Sequence, residues 1–195
     1  MSENSSIKPE IIKVIRQRNW SIVDNYWLRY VEENDTDLLF LRQCADYLSN
    51  SGNTSKLIEL FELLIEEYTE SNNYQGIVET ARILSQKKAL PNSILKPLVK
   101  SIRKIYNSSP HLEKYIQFSG LEVSDNLQES FSNLDEYFHC DVGQVFQHNT
   151  WGLGIVKALD LPQQQVVLSL EKKGEHRFTF SGARQFLTKI PDDHF

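Results

Sequence analysis

Cysteine is nearly missing from this sequence: Cys44 and Cys140 stand far apart in 195 residues. A disulfide scaffold needs denser pairs, so a reducing cytoplasm is the expected compartment. Apolar runs are short, none approaching the roughly 18 to 20 residues that cross a bilayer, and no membrane partner is expected. The opening residues, MSENSSIKPE, carry neither a basic n-region nor an apolar h-region, so no secretory leader is expected. Positive charge is also scarce. With 21 Lys and Arg against 26 Asp and Glu, the net charge of −5 argues against a coat for nucleic acid. Neither a Gly-x-Ser-x-Gly elbow nor a phosphate-binding glycine loop occurs.

What is present is patterned. Ile22, Val23, Tyr26, Trp27, Tyr30 and Val31 recur at helical spacing, and the first helix starts well at Pro9. A third helix carries Leu38, Leu41, Ala45 and Leu48, with Asp35 or Thr36 as its expected cap. The fourth sets Leu57, Leu60, Phe61, Leu64, Ile65 and Tyr68 against an acidic face. A fifth closes at Pro91, and a sixth begins near Asn92. Shorter pieces follow near His111–Phe118 and Ser124–Phe138. Helices of this length, starting every 15 to 20 residues with short loops, predict an antiparallel helical-hairpin, tetratricopeptide-like array over 7–138.

Charge is segregated within that array. Between Glu59 and Glu79 there are six glutamates and no basic residue; from Arg82 to Lys104 there are seven basic residues and no acid. Lys96, Lys100, Arg103 and Lys104 share one helical face, as candidates for weak contact with nucleic-acid phosphates or an acidic surface. Such a stripe is more often a solvated face.

From Asp141 the apolar period falls from 3.6 to 2. Strands are predicted at Gly143–His148, Ile155–Leu159, Val166–Leu170 and His176–Phe180, followed by a helical turn over Ser181–Leu187. Four or five short strands joined by tight turns predict an SH3/Tudor-like β-barrel over 141–190. Gly152 and Gly154 are expected to bend the chain sharply at a barrel corner. The fold class is thus mainly α with a small β domain.

The stretch DVGQVFQHNTWGLGIVKALD…VVLSLEKKGEHRFTF resembles a Tudor/SH3-like module of bacterial transcription proteins. That module's pattern runs Gly-Asp-x-Val-x-His-x-x-Trp-Gly-x-Gly-x-Val. Gly143, His148, Trp151, Gly152 and Gly154 stand at its positions, Val145 and Ile155 lie next to its two valine positions, and Gln144 replaces the usual acid. Similar modules occur in the CarD and transcription-repair coupling families, in UvrD-type helicase tails and in long Gre-type elongation factors. The long Gre-type proteins set a helical region and such a module ahead of their Gre domains. The resemblance implies binding to RNA polymerase, chiefly its β subunit, by strand addition. It implies contacts from Val145, Phe146, His148, Trp151 and Ile155, with Arg177 and Phe178 on a neighbouring strand. It also makes the chain a stand-alone relative or the front part of a longer protein.

Catalysis is not expected. Gre-type cleavage needs a long hairpin whose tip presents two carboxylates to a metal, and Asp125 and Glu129 sit on a short helix instead. His139, Cys140 and His148 lack the paired spacing of a zinc site, and Ser169 and Ser181 lack an evident base. No cofactor and no small-molecule substrate are expected. Two other readings stand beside polymerase binding. One is a helical-repeat adaptor for an unrelated peptide. The other is a methyl-lysine reader caged by Trp151, Phe146 and Phe178.

Overall fold

The computed structural model describes residues 7–32 and 37–190. These form α1 (Ile7–Arg16), α2 (Trp20–Glu32), α3 (Leu38–Asn50), α4 (Thr54–Glu70) and α5 (Tyr74–Gln86), then a 3-10 turn (Asn92–Ile94) and α6 (Leu95–Ile105). Next come α7 (Leu112–Ser119), α8 (Leu127–His139), β1 (Val145–His148), β2 (Gly152–Asp160), β3 (Gln165–Leu170), β4 (Gly174–Thr179), α9 (Phe180–Phe186) and β5 (Leu187–Lys189). The chain is therefore mainly helical with a C-terminal antiparallel sheet. Among the described residues no helix is long and apolar enough to cross a membrane.

Two compact units divide it. One gathers the described residues up to Leu112 together with Ser124–Gln128; the other takes Glu113–Val123 and the residues from Glu129 onward. Sequence reading set the division at 138/141, because a helical period says nothing about which neighbour a helix packs against. Nearly all of α7 and most of α8 belong with the sheet.

In the helical unit α1–α2, α3–α4, α4–α5 and α5–α6 pack as successive neighbours, and α1–α3, α2–α4 and α3–α5 pack across one helix. Local chemistry sets the boundaries. Asp37 accepts the Phe40 N–H at 3.0 Å to start α3, whereas Asp35 and Thr36 lie outside the described residues. Asn73 caps α5 by accepting the Gly76 N–H at 2.9 Å. The sixth helix starts at Leu95, three residues later than its periodicity suggests. Pro97, which lacks an N–H, then falls in the first turn, where none is needed.

Trp27 is the hub of this unit. It is fully buried, lies 5.6 Å from the Phe61 ring and 6.3 Å from the Phe40 ring, and its Nε1–H donates to the Leu60 carbonyl at 2.6 Å. The periodic stripe of α2 thus delivers both apolar area and a satisfied polar tip.

The sheet order is β4-β3-β2-β1-β5, all neighbours antiparallel. At strand spacings of about 4.8 Å, β1 and β4 of a flat sheet would stand about 14 Å apart. Yet the His148 ring on β1 lies 6.1 Å from the Phe178 ring on β4, so the sheet is curled. Its inner face buries Phe146, Val156, Val166, Leu168, Leu170 and Phe178. Helix α8 closes onto this core: the Tyr137 ring sits 5.2 Å from Phe180, and Gln164 donates to the Tyr137 hydroxyl at 2.8 Å. From α7, Tyr115 donates its hydroxyl to Asp141 at 2.6 Å.

Candidate docking surface on the sheet

The strand pattern places Phe146, not Val145, on the inner face. Phe146 is 1% exposed and its ring meets the His139 ring edge-on at 5.6 Å, while Val145 is half-buried on the opposite face. Phe146 is therefore a core residue rather than a partner contact. Phe178 is likewise a core residue at 9% exposure.

The Gly-x-Gly of this stretch opens β2, with Trp151 in the turn just before it, and its glycines serve different ends. Gly152 sits at φ +80°, where a side chain would also run into the Glu171 carboxylate. That carboxylate accepts the Leu153 N–H at 3.0 Å and holds the turn closed. At Gly154 a Cβ would stand 2.6 Å from Leu170 Cδ2, so glycine here makes room for the packed leucines of β3. The strand's irregularity lies elsewhere, at a register shift between Val156 and Ala158.

Before those glycines, His148 organises the turn. Its Nδ1 accepts two backbone N–H groups, from Thr150 at 3.0 Å and Trp151 at 3.2 Å. The neutral ring therefore carries its proton on Nε2. Trp151 stacks on it with centroids 4.2 Å apart and planes within 14°. His176 meets Trp151 edge-on at 4.9 Å, and the Lys173 ammonium lies 5.6 Å from the tryptophan ring. The cluster is thus His148, Trp151, His176 and Phe178, with a cation from the chain itself against Trp151. A cage built from Trp151, Phe146 and Phe178 does not form among the described residues: Trp151 lies 6.1 Å from Phe178, but the Phe146 ring meets His139 instead. Sequence reading missed His176 and Lys173; the Lys-Lys-Gly-Glu hairpin beside the strand was the available signal.

The outer face carries what a partner can touch. Val145, Ile155, Ser169 and Glu175 stand in register across β1 to β4. Ile155 is 43% exposed, and with Leu153 and Val145 it lines a shallow groove of about 630 Å³. Arg177 lies beyond, exposed and paired with Asp160 at 3.1 Å. Gln144, standing where the module's pattern has an acid, buries its Oε1 without a hydrogen-bond partner.

Main-chain availability is decided by sheet order. β1 is an interior strand, and so is β2 where it pairs with β1 over Gly152–Ile155, so those ladders are filled and only their side chains are on offer. β4 and β5 are the edges. The Glu171 N–H points to Leu153 of β2 at 2.9 Å, and antiparallel alternation then turns Leu170, Leu168 and Val166 toward β4. Their partners Gly174, His176 and Phe178 face back. The N–H and C=O groups of Glu175 and Arg177 consequently point away from the sheet.

Burial pushes the Cys140 thiol up to about 11 and the Cys44 thiol higher still, so neither is a thiolate at neutral pH. Burial, with help from Lys189 and Arg184, lowers the His139 pKa. Among the described residues no three His, Cys, Asp or Glu side chains gather as metal ligands.

The chain is similar to the transcription elongation factor GreA of Borreliella burgdorferi, at 24% identity over 185 residues. The alignment covers 92% of this chain and 20% of that protein, so the chain spans about a fifth of its relative's length. No protein-family model and no solved structure matches the chain.

Proposed function

We propose that the chain is a Gre-related transcription elongation accessory that binds bacterial RNA polymerase and carries out no catalysis itself. The observation that supports this most is the reach of the similarity. It spans 92% of the chain, both units included, rather than the Trp-Gly-x-Gly stretch alone. In this reading the curled sheet is an SH3/Tudor-like barrel and the helices are a tetratricopeptide-like carrier, both at work in the cytoplasm.

The polymerase supplies a strand, from its β subunit, that adds to β4. Glu175 and Arg177 give the main-chain hydrogen bonds, while Ile155 and Val145 receive apolar side chains on the outer face. His148 and Trp151 act by holding the turn that starts β2. Lys96, Lys100, Arg103 and Lys104 have no part in this contact.

The test is binding of the full chain to purified core RNA polymerase by biolayer interferometry. Ile155→Glu puts a charge into the apolar groove at an already exposed site, so the fold is retained. Binding is expected to weaken by about tenfold or more, by loss of apolar burial and a desolvated charge. Wild-type protein that fails to bind at tens of micromolar would overturn the reading, as would an Ile155→Glu variant that binds as tightly as wild type.

A further inference from the structure

The charge segregation of the helical unit has a structural counterpart that the sheet does not use. Between α4 and α6 runs a groove of about 530 Å³. Ile65 and Pro97 contribute to its apolar lining. Glu66 and Glu70, one turn apart on α4, form one wall; Lys96 and Lys100, one turn apart on α6, form the other. All four are exposed. At one end Ser93 donates a hydrogen bond to Glu62 and ties the walls together. Beyond that tie, no ion pair joins Glu66 or Glu70 to Lys96 or Lys100; the Lys100 ammonium instead lies 5.7 Å from the Tyr74 ring.

Opposite charges facing each other unpaired across an apolar floor select against most ligands. A nucleic-acid backbone drawn to Lys96 and Lys100 meets the Glu66 and Glu70 carboxylates, and the same repulsion excludes an anionic membrane. A chain carrying both signs has no such conflict. The walls are helices with their backbone hydrogen bonds satisfied internally, so an entering segment gains nothing from an extended backbone. It must bring its own satisfied backbone and an apolar stripe.

We infer that this groove receives an amphipathic helix from a partner protein. That helix has an apolar stripe flanked by basic residues toward α4 and acidic residues toward α6. The two walls fix the direction in which it lies, because reversing it places like charges together.

A displayed library of helical peptides tests this, with a constant leucine stripe and flanks randomised among Lys, Glu and Gln, selected on the full chain. Wild-type protein is expected to enrich peptides with Lys on one flank and Glu on the other. Glu66→Lys with Glu70→Lys makes both walls basic and should shift enrichment to Glu on both flanks. Adding Lys96→Glu and Lys100→Glu exchanges the walls and should restore mixed flanks. The best mixed peptide should bind wild type at least tenfold more tightly than the two-site variant, with unchanged thermal melting of both proteins. Wild-type enrichment without flank preference, enrichment of one sign on both flanks, or identical pools from wild type and the two-site variant would each overturn the inference. None of these outcomes bears on polymerase binding through the sheet.

Discussion

Arg177→Pro is expected to abolish most polymerase binding while leaving the sheet folded. The Arg177 N–H points away from β3, so proline removes a donor the sheet does not use. Proline is tolerated on an edge strand in that orientation. The internal loss is the exposed ion pair to Asp160, worth about 0–1 kcal/mol. At the interface, the missing N–H leaves a partner carbonyl unpaired and puts ring atoms where the added strand must approach. One unsatisfied buried acceptor costs about 1–3 kcal/mol, or about tenfold to a hundredfold in affinity. Arg177→Ala separates the contributions: it loses the guanidinium and keeps the N–H, so its binding should fall only a few-fold. Measured by interferometry, equal losses for the two variants would transfer the contact from backbone to side chain.

The second large effect falls on the helical unit. Trp27→Ala should lower its stability by about 3–5 kcal/mol, the range for deleting a buried aromatic from a packed core. The ring is fully buried against Tyr30, Phe40 and Phe61, and the substitution also strands the Leu60 carbonyl it bonds. Trp27→Phe preserves the stacking, loses the 2.6 Å hydrogen bond and should cost less. Urea denaturation followed by far-UV circular dichroism measures both. If Trp27→Ala costs under 1 kcal/mol, Trp27 is not the hub of this core.

Much of the fold was legible in the residues because the two apolar periods differ so sharply. The stripes of α2 and α4 announce their buried faces directly, and the change of period after Asp141 marks the sheet. Three features were not legible. Helices α7 and α8 have helical periods but pack with the sheet, and period carries no information about the packing partner. The second is the phase of β1, where the resemblance implies contacts from both Val145 and Phe146. In a four-residue strand, Val145 and Phe146 are both apolar, and tertiary packing against His139 decides which of them turns in. Strand order was the third. β1 and β2 carry the recognisable residues, but pairing with β5 and β3 makes them interior, so the main-chain edge passes to β4, whose sequence is plain. The basic stripe of α6 was visible as a stripe. That its residues face glutamates of α4 across a groove follows only from how the helices stack.

Amide hydrogen exchange on the full chain, with and without core RNA polymerase, tests the central claim most directly. Strand addition at β4 predicts that the amides of Glu175 and Arg177, exposed in the free protein, become protected in the complex. The amides of β1 and of Gly152–Val156 in β2, already bonded within the sheet, should barely change. Polymerase-dependent protection that leaves Glu175 and Arg177 exchanging freely would contradict docking through this edge.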